Sequence, residues 1–182
     1  MDFRRDRQII SEARRYIFVC VAVFACGAVA GYGFPSRFAG LVEGIYSLAG
    51  QLSVSSAPVV ILTLFLQNSS SALVAVWLGA ALGLVPIFGA LANGIILGAV
   101  LTATGSGLKA FISLLPHGVF ELPAIFIAWG LGLWRGMWVF EPERKRAYKE
   151  RGRKAWYVFF TLVLPLLAVA AVIEGMGIVL MR

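Results

Sequence analysis

Three ionisable side chains lie inside otherwise apolar stretches and are the first candidates for chemistry: His117, Glu121 and Glu174. An ionisable group at membrane depth is expensive and usually faces a bundle interior or a water-filled cavity. If a helix starts at Pro116, His117 and Glu121 share one face of its first two turns, because residues four apart are helix neighbours. A histidine and two carboxylates near an opening can relay protons, bind a cation or bind a metal ion.

Two amides extend this set, because Asn68 and Asn93 lie in two further apolar stretches. Amides at membrane depth either continue a polar pathway or hold helices together by hydrogen bonds. Pro116 and Pro123 bound the polar segment and are predicted to interrupt its helix. An interhelical hydrogen-bond network that locks a kinked helix is therefore an alternative to any site.

Conventional catalytic sets are missing from the sequence. It contains no HExxH, no GxSxG and no glycine-rich phosphate loop, and its only aspartates, Asp2 and Asp6, precede the first apolar stretch. We therefore expect no enzyme and no cofactor, and the spacing of His117 and the two glutamates leaves metal binding open.

The composition indicates which kind of structural element positions these residues. Hydrophobic residues make up 60% of the 182 residues and charged residues only 14%, against about 25% charged in soluble domains. Apolar stretches long enough to cross a bilayer as helices recur five times. The sequence predicts one all-α membrane domain over residues 1–182, a bundle of five transmembrane helices. Its spans are about 16–34, 58–83, 86–104, 116–138 and 155–177.

The basic residues predict the orientation of these spans in a cell membrane. With the N-terminus in the cytoplasm and the C-terminus outside, only Arg37, Lys109 and Arg182 of the 16 lysines and arginines face outward. This asymmetry is typical of multi-pass membrane proteins. Because the net charge of +7 comes from span ends, it does not indicate nucleic-acid binding.

Two further helical segments are predicted between the spans. Residues 38–52 place apolar side chains at three- and four-residue spacings, which indicates an amphipathic helix on the outer surface or one packed on its own bundle. The segment Leu108–Leu115 is apolar but too short to span, and it predicts a short re-entrant or interfacial helix before the fourth span. Residues Gly83–Pro86 predict a tight turn between the second and third spans.

Glycine pairs spaced by four predict close helix contacts. The pairs are Gly27/Gly31, Gly79/Gly83, Gly94/Gly98 and Gly132/Gly136. In lipid, small residues let helix backbones approach and associate. Some pairs must pack the bundle itself, and any left over would favour a homo-oligomer.

A strongly basic segment, residues 141–154, separates the last two spans. We expect a polar loop that binds anionic lipids or a cytoplasmic partner, at about 1 kcal/mol per basic residue near the surface. Its simpler interpretation is a topology anchor.

Several of these residues together give the chain a family resemblance. They are Phe65-Leu66-Gln67-Asn68, Gly79 with Gly83, Asn93-Gly94 with Gly98, PHGVFELPA at Pro116–Ala124, Gly130 and Glu174. Over about residues 58–177 the chain resembles the stage II sporulation protein M family. It departs from the family in having Gln-Asn at positions 67–68 and Gly175-Met176-Gly177 after Glu174.

The resemblance implies a multi-pass membrane component that, in endospore formers, works with cell-wall hydrolases during engulfment. Our leading hypothesis is a non-enzymatic membrane scaffold or complex subunit, with residues Pro116–Pro123 as a structural and partner-docking element. The alternative is a small homo-oligomeric transporter or channel that uses His117, Glu121 and Glu174 for protons or cations.

Overall fold

The computed structural model describes residues 3–103 and 107–180, with side chains for all of these except residues 49, 53, 107–117, 179 and 180. The described chain is all-α. Its seven α-helices are α1 Phe3–Gly33, α2 Ala39–Ser53, α3 Ala57–Leu78, α4 Leu84–Ala103, α5 Gly107–Gly136, α6 Arg144–Val158 and α7 Leu164–Leu180. Short 3₁₀ segments at Pro35–Phe38 and Met137–Phe140 precede α2 and α6, and a π-helical segment at Phe159–Val163 joins α6 to α7.

Five helical stretches within the described residues are long and apolar enough to cross a membrane, as predicted. They lie in α1, α3, α4, α5 and the continuous α6–α7 helix. The most buried of them is α5, which packs against α1, α3, α4 and α7. Its Trp129 and Leu131 are in the centre of the core.

Glycines set the closest helix contacts. A Cβ on Gly94 or Gly98 would collide with backbone atoms of α1, and a Cβ on Gly27 or Gly31 would collide with backbone atoms of α4. This reciprocal contact makes α1 and α4 the most extensively packed helix pair.

The other two glycine pairs meet each other in the same way. Gly132 and Gly136 of α5 lie against the backbone at the end of α3 and in the turn that follows, where Gly79 and Gly83 are located. All four glycine pairs predicted from spacing are therefore in contact with other parts of the same chain. A homo-oligomer remains a prediction, and it would have to use a different surface.

The turn between α3 and α4 differs in position from the prediction. The chain reverses at residues 79–83, where Leu82 and Gly83 have positive φ angles of 59° and 68°. Pro86 lies in the first turn of α4, where its missing N–H costs no helical hydrogen bond.

The prolines that were predicted to break the fourth span do not end it. Helix α5 runs from Gly107 to Gly136 through both Pro116 and Pro123, so the predicted short helix before this span is its first part. Membrane helices tolerate proline because neighbouring helices and local adjustments compensate for the lost hydrogen bond.

The segment 141–154 was expected to be a loop, and most of it is helix α6. Its Arg, Lys, Glu and Ala residues are strong helix formers. Ion pairs from Arg146 to Glu143 and Glu150, at 3.1 and 3.0 Å, support this helix.

The predicted helix between the first two spans is α2, which contacts α4. Val42 and Leu52 are buried, whereas Leu41 and Tyr46 are exposed. One face of α2 therefore packs on the bundle and the other does not.

Candidate functional site

A cleft of about 250 Å³ opens among α1, α2, α4 and α5. From α5 it is lined by side chains or backbone at Gly118, Glu121, Leu122, Ile125 and Trp129. These positions recur at three- and four-residue spacings, which places them on one face of the helix. The rest of the lining is Phe24, Ile45, Asn93, Ile96, Leu97 and Val100.

Two of the predicted site residues, Asn93 and Glu121, share this cleft. The Asn93 side-chain amide donates to the backbone oxygen of Gly89, 2.9 Å away on its own helix. Glu121 is half-buried. The cleft thus presents one carboxylate and one amide in an otherwise apolar lining.

The other predicted site residues lie elsewhere or outside the described side chains. Glu174 and Asn68 are half-buried, and neither lines the cleft. Next to Glu174, Gly175 packs against Ile61 of α3. His117 lies within α5, as does Pro116, but its side chain is outside the described set. Pro123 is exposed.

The polar run after Asn68 lines a separate cavity. Ser70 and Ser71 face a cavity of about 250 Å³ that Gly89 and Trp129 also line. Ser70 donates to the backbone oxygen of Gln67 at 3.0 Å. Trp129 therefore contributes to both cavities, and the polar residues of α3 and α5 do not line a single one.

No metal centre is formed by the side chains that the structure describes, because no three His, Cys, Asp or Glu residues among them are grouped closely enough.

The opposite end of the bundle holds buried charges that the sequence reasoning missed. We call it the basic end: it comprises the start of α1, the α3–α4 turn, the end of α5, and α6. Arg135 is 6% exposed, and its Nη1 donates to the backbone oxygen of Val76 at 3.1 Å. Its guanidinium also lies over the rings of Tyr148 and Trp156, 5.5 and 6.0 Å from their centroids. Arg135 thereby satisfies a carbonyl at the end of α3, which has no helical partner.

Asp6 is the second buried charge, at 2% exposure. The Thr161 hydroxyl lies 2.7 Å from Asp6 Oδ1 and 2.8 Å from the Tyr157 carbonyl oxygen. Arg5 lies over the Tyr157 ring at 4.1 Å. Because Thr161 belongs to the π-helical segment, these contacts attach the start of α1 to the one irregular turn of the last span. An aspartate beside a basic run carried no sequence signal of burial.

Ionic contacts join α6 to the rest of the basic end. Lys154 pairs with Glu12 of α1 at 2.6 Å. Arg151 donates to the backbone oxygen of Trp134 at 3.0 Å and pairs with Glu141. On the exposed side, hydrogen bonding to Arg146 lowers the pKa of Glu150 below its ordinary value. Part of the basic segment is therefore structural.

These features define a class of protein: a helical multi-pass membrane protein with five spans and a charged helical extension at one end. The sequence model for Stage II sporulation protein M matches residues 17–177, and the chain belongs to this family. The match runs from within the first span to near the end of the last and confirms the resemblance. No curated protein and no solved structure gives a significant match.

Proposed function

We propose that this protein is a non-enzymatic subunit of a membrane protein complex, and that the cleft around Glu121 receives an apolar segment of a partner protein. The observation that carries the proposal is the lining of the cleft, which is apolar except for Asn93 and Glu121. Polar side chains at such positions hydrogen-bond to neighbouring helices in lipid. The volume of about 250 Å³ lies below the 300–1,000 Å³ that is usual for small-molecule sites.

The tightness of the bundle also supports a scaffold. Backbone-to-backbone contacts at Gly27, Gly31, Gly94 and Gly98 hold α1 against α4. Sliding one helix past the other would bring side chains into positions that only glycine fits. A rigid bundle with a shallow lateral cleft suits the presentation of a docking surface.

A transporter is the second candidate, and Glu121 favours it. A half-buried carboxylate within a membrane span is a recognised feature of proton and cation pathways. Against this candidate, Asn68 and Glu174 do not line the same cleft, so these polar groups do not form one column with Glu121.

We further propose that the basic end faces the cytoplasm of the cell. This orientation agrees with the charge asymmetry of the sequence. In this orientation the cleft lies in the outer half of the membrane. Helix α2 also lines it, through Ile45.

The experiment compares two intramembrane carboxylates. Glu121→Gln replaces the carboxyl group in the cleft with an amide, and Glu174→Gln makes the same replacement at a half-buried position outside it. The proposal predicts that Glu121→Gln reduces the amount of complex that co-purifies in mild detergent, while Glu174→Gln leaves it unchanged. Equal effects of both variants, or intact complex with Glu121→Leu, would contradict docking at the cleft.

A further inference from the structure

The exposed side of α6 carries a row of basic residues that take no part in the hydrogen bonds and ion pairs described above. Lys145, Lys149 and Arg153 are exposed and four residues apart, so they follow one face of the helix. With Arg146 and Glu150 they form one water-exposed charged patch.

The face of α6 next to the basic row is fixed against the bundle. Tyr148 packs on Trp138 with ring centroids 5.4 Å apart, and Arg151 contacts Trp134 and Glu141. Gly152 and Ala155 are buried on the same face. These contacts fix the rotation of α6 about its axis and leave the basic row exposed.

Helix length decides what this row can reach. Because α6 runs without interruption through the π-helical segment into α7, it extends the last span beyond the membrane. We place the membrane interface at Trp156 and the exposed Phe160, because aromatic rings collect there. At 1.5 Å per residue, Arg153, Lys149 and Lys145 lie about 4.5, 10.5 and 16.5 Å beyond Trp156 along the axis.

The lipid headgroup layer on each side is only about 5–8 Å thick. Arg153 falls within that layer, whereas Lys145 lies beyond it by about one Debye length at physiological ionic strength. Attraction to anionic lipids is therefore screened for the outer part of the row.

We propose that the face formed by Lys145, Lys149 and Arg153 docks an acidic segment of a water-soluble protein. Carboxylates spaced four apart on a helix, or alternate residues of an extended chain, repeat at about 6–7 Å and match the 6 Å rise between these cations. This inference rests on the proposed role as a complex subunit. It adds to the cleft a second contact with a partner protein, outside the membrane.

The test uses the full chain in phosphatidylcholine nanodiscs and a fluorescein-labelled polyglutamate peptide as the probe. Fluorescence anisotropy should show that Lys145→Gln with Lys149→Gln weakens binding about tenfold, as expected for two lost charge contacts. The matched control is Arg7→Gln with Arg15→Gln, which removes the same charge from exposed positions of α1 and should change binding less than twofold. Equal losses in both variants would overturn the proposal.

A second measurement separates protein from lipid as the occupant. A nitroxide at Arg144→Cys, in a Cys26→Ser background, should collide with a water-soluble nickel reagent and not with oxygen dissolved in lipid. A label at headgroup depth would assign the row to lipid. So would a lysine variant that binds the peptide as tightly as before but, in nanodiscs that also contain phosphatidylserine, no longer enriches that lipid around the protein. Either result leaves the comparison of Glu121 with Glu174 unaffected.

Discussion

Adding one methyl group at Gly31 should separate α1 from α4. A Cβ there would lie 2.8 Å from the carbonyl carbon of Ile95 and 3.0 Å from the amide nitrogen of Ala99. Ordinary van der Waals contact begins near 3.4 Å and the Ile95 carbonyl oxygen would lie closer still, so the backbones must move apart by more than 0.6 Å. A gap of 0.5–1 Å forfeits about a quarter to a half of each dispersion contact.

We therefore expect Gly31→Ala to lower the free energy of unfolding by about 1–3 kcal/mol, the usual cost of overpacking. Gly33→Ala is the matched control, because its Cβ would meet nothing within 4 Å. It should be neutral or stabilise by up to about 1 kcal/mol, through higher helix propensity. Unfolding by sodium dodecyl sulfate, followed by circular dichroism, measures both variants. If Gly31→Ala is as stable as Gly33→Ala, the α1–α4 contact is not as close as described.

Two predictions concern the basic end. Arg135→Gln should destabilise the protein by about 1.5–3 kcal/mol, the range for a hydrogen bond to a charged group, because the Val76 carbonyl loses its donor. The same unfolding assay should show a change below about 0.5 kcal/mol for exposed Arg144→Gln, and equal losses would contradict a buried role for Arg135. Thr161→Val should cost about 1–3 kcal/mol by removing the hydroxyl beside buried Asp6, whereas Thr161→Ser should restore stability. If the serine variant is as unstable as the valine variant, the loss comes from packing and not from the hydroxyl.

The membrane architecture could be predicted because its signals are continuous along the sequence. Apolar runs near 20 residues located all five spans, and glycine spacing located the contacts at Gly31 and Gly98. Helix ends were less predictable. Helix α5 continues through Pro116 and Pro123, because a backbone in lipid has few alternatives to the helix.

The candidate site was only partly predictable for a different reason. Asn93 and Glu121 were identified by their polarity, but their sharing of one cleft depends on how α4 and α5 pack. Asp6 and Arg135 were missed because charged residues at span ends normally contact water. They are buried because the start of α1 and helix α6 pack against the other helices of the basic end. No local sequence pattern specifies this tertiary arrangement.

Proton and cation flux through the purified protein tests the central claim most directly. Reconstituted into liposomes with a membrane potential and a pH-sensitive dye, the protein should carry no more flux than empty liposomes between about pH 5 and 8, the range spanned by ordinary histidine titration. Glu121→Gln should leave that baseline unchanged. Flux above the baseline that Glu121→Gln abolishes and Glu174→Gln preserves would contradict the complex-subunit account and establish the cleft as part of a transport pathway.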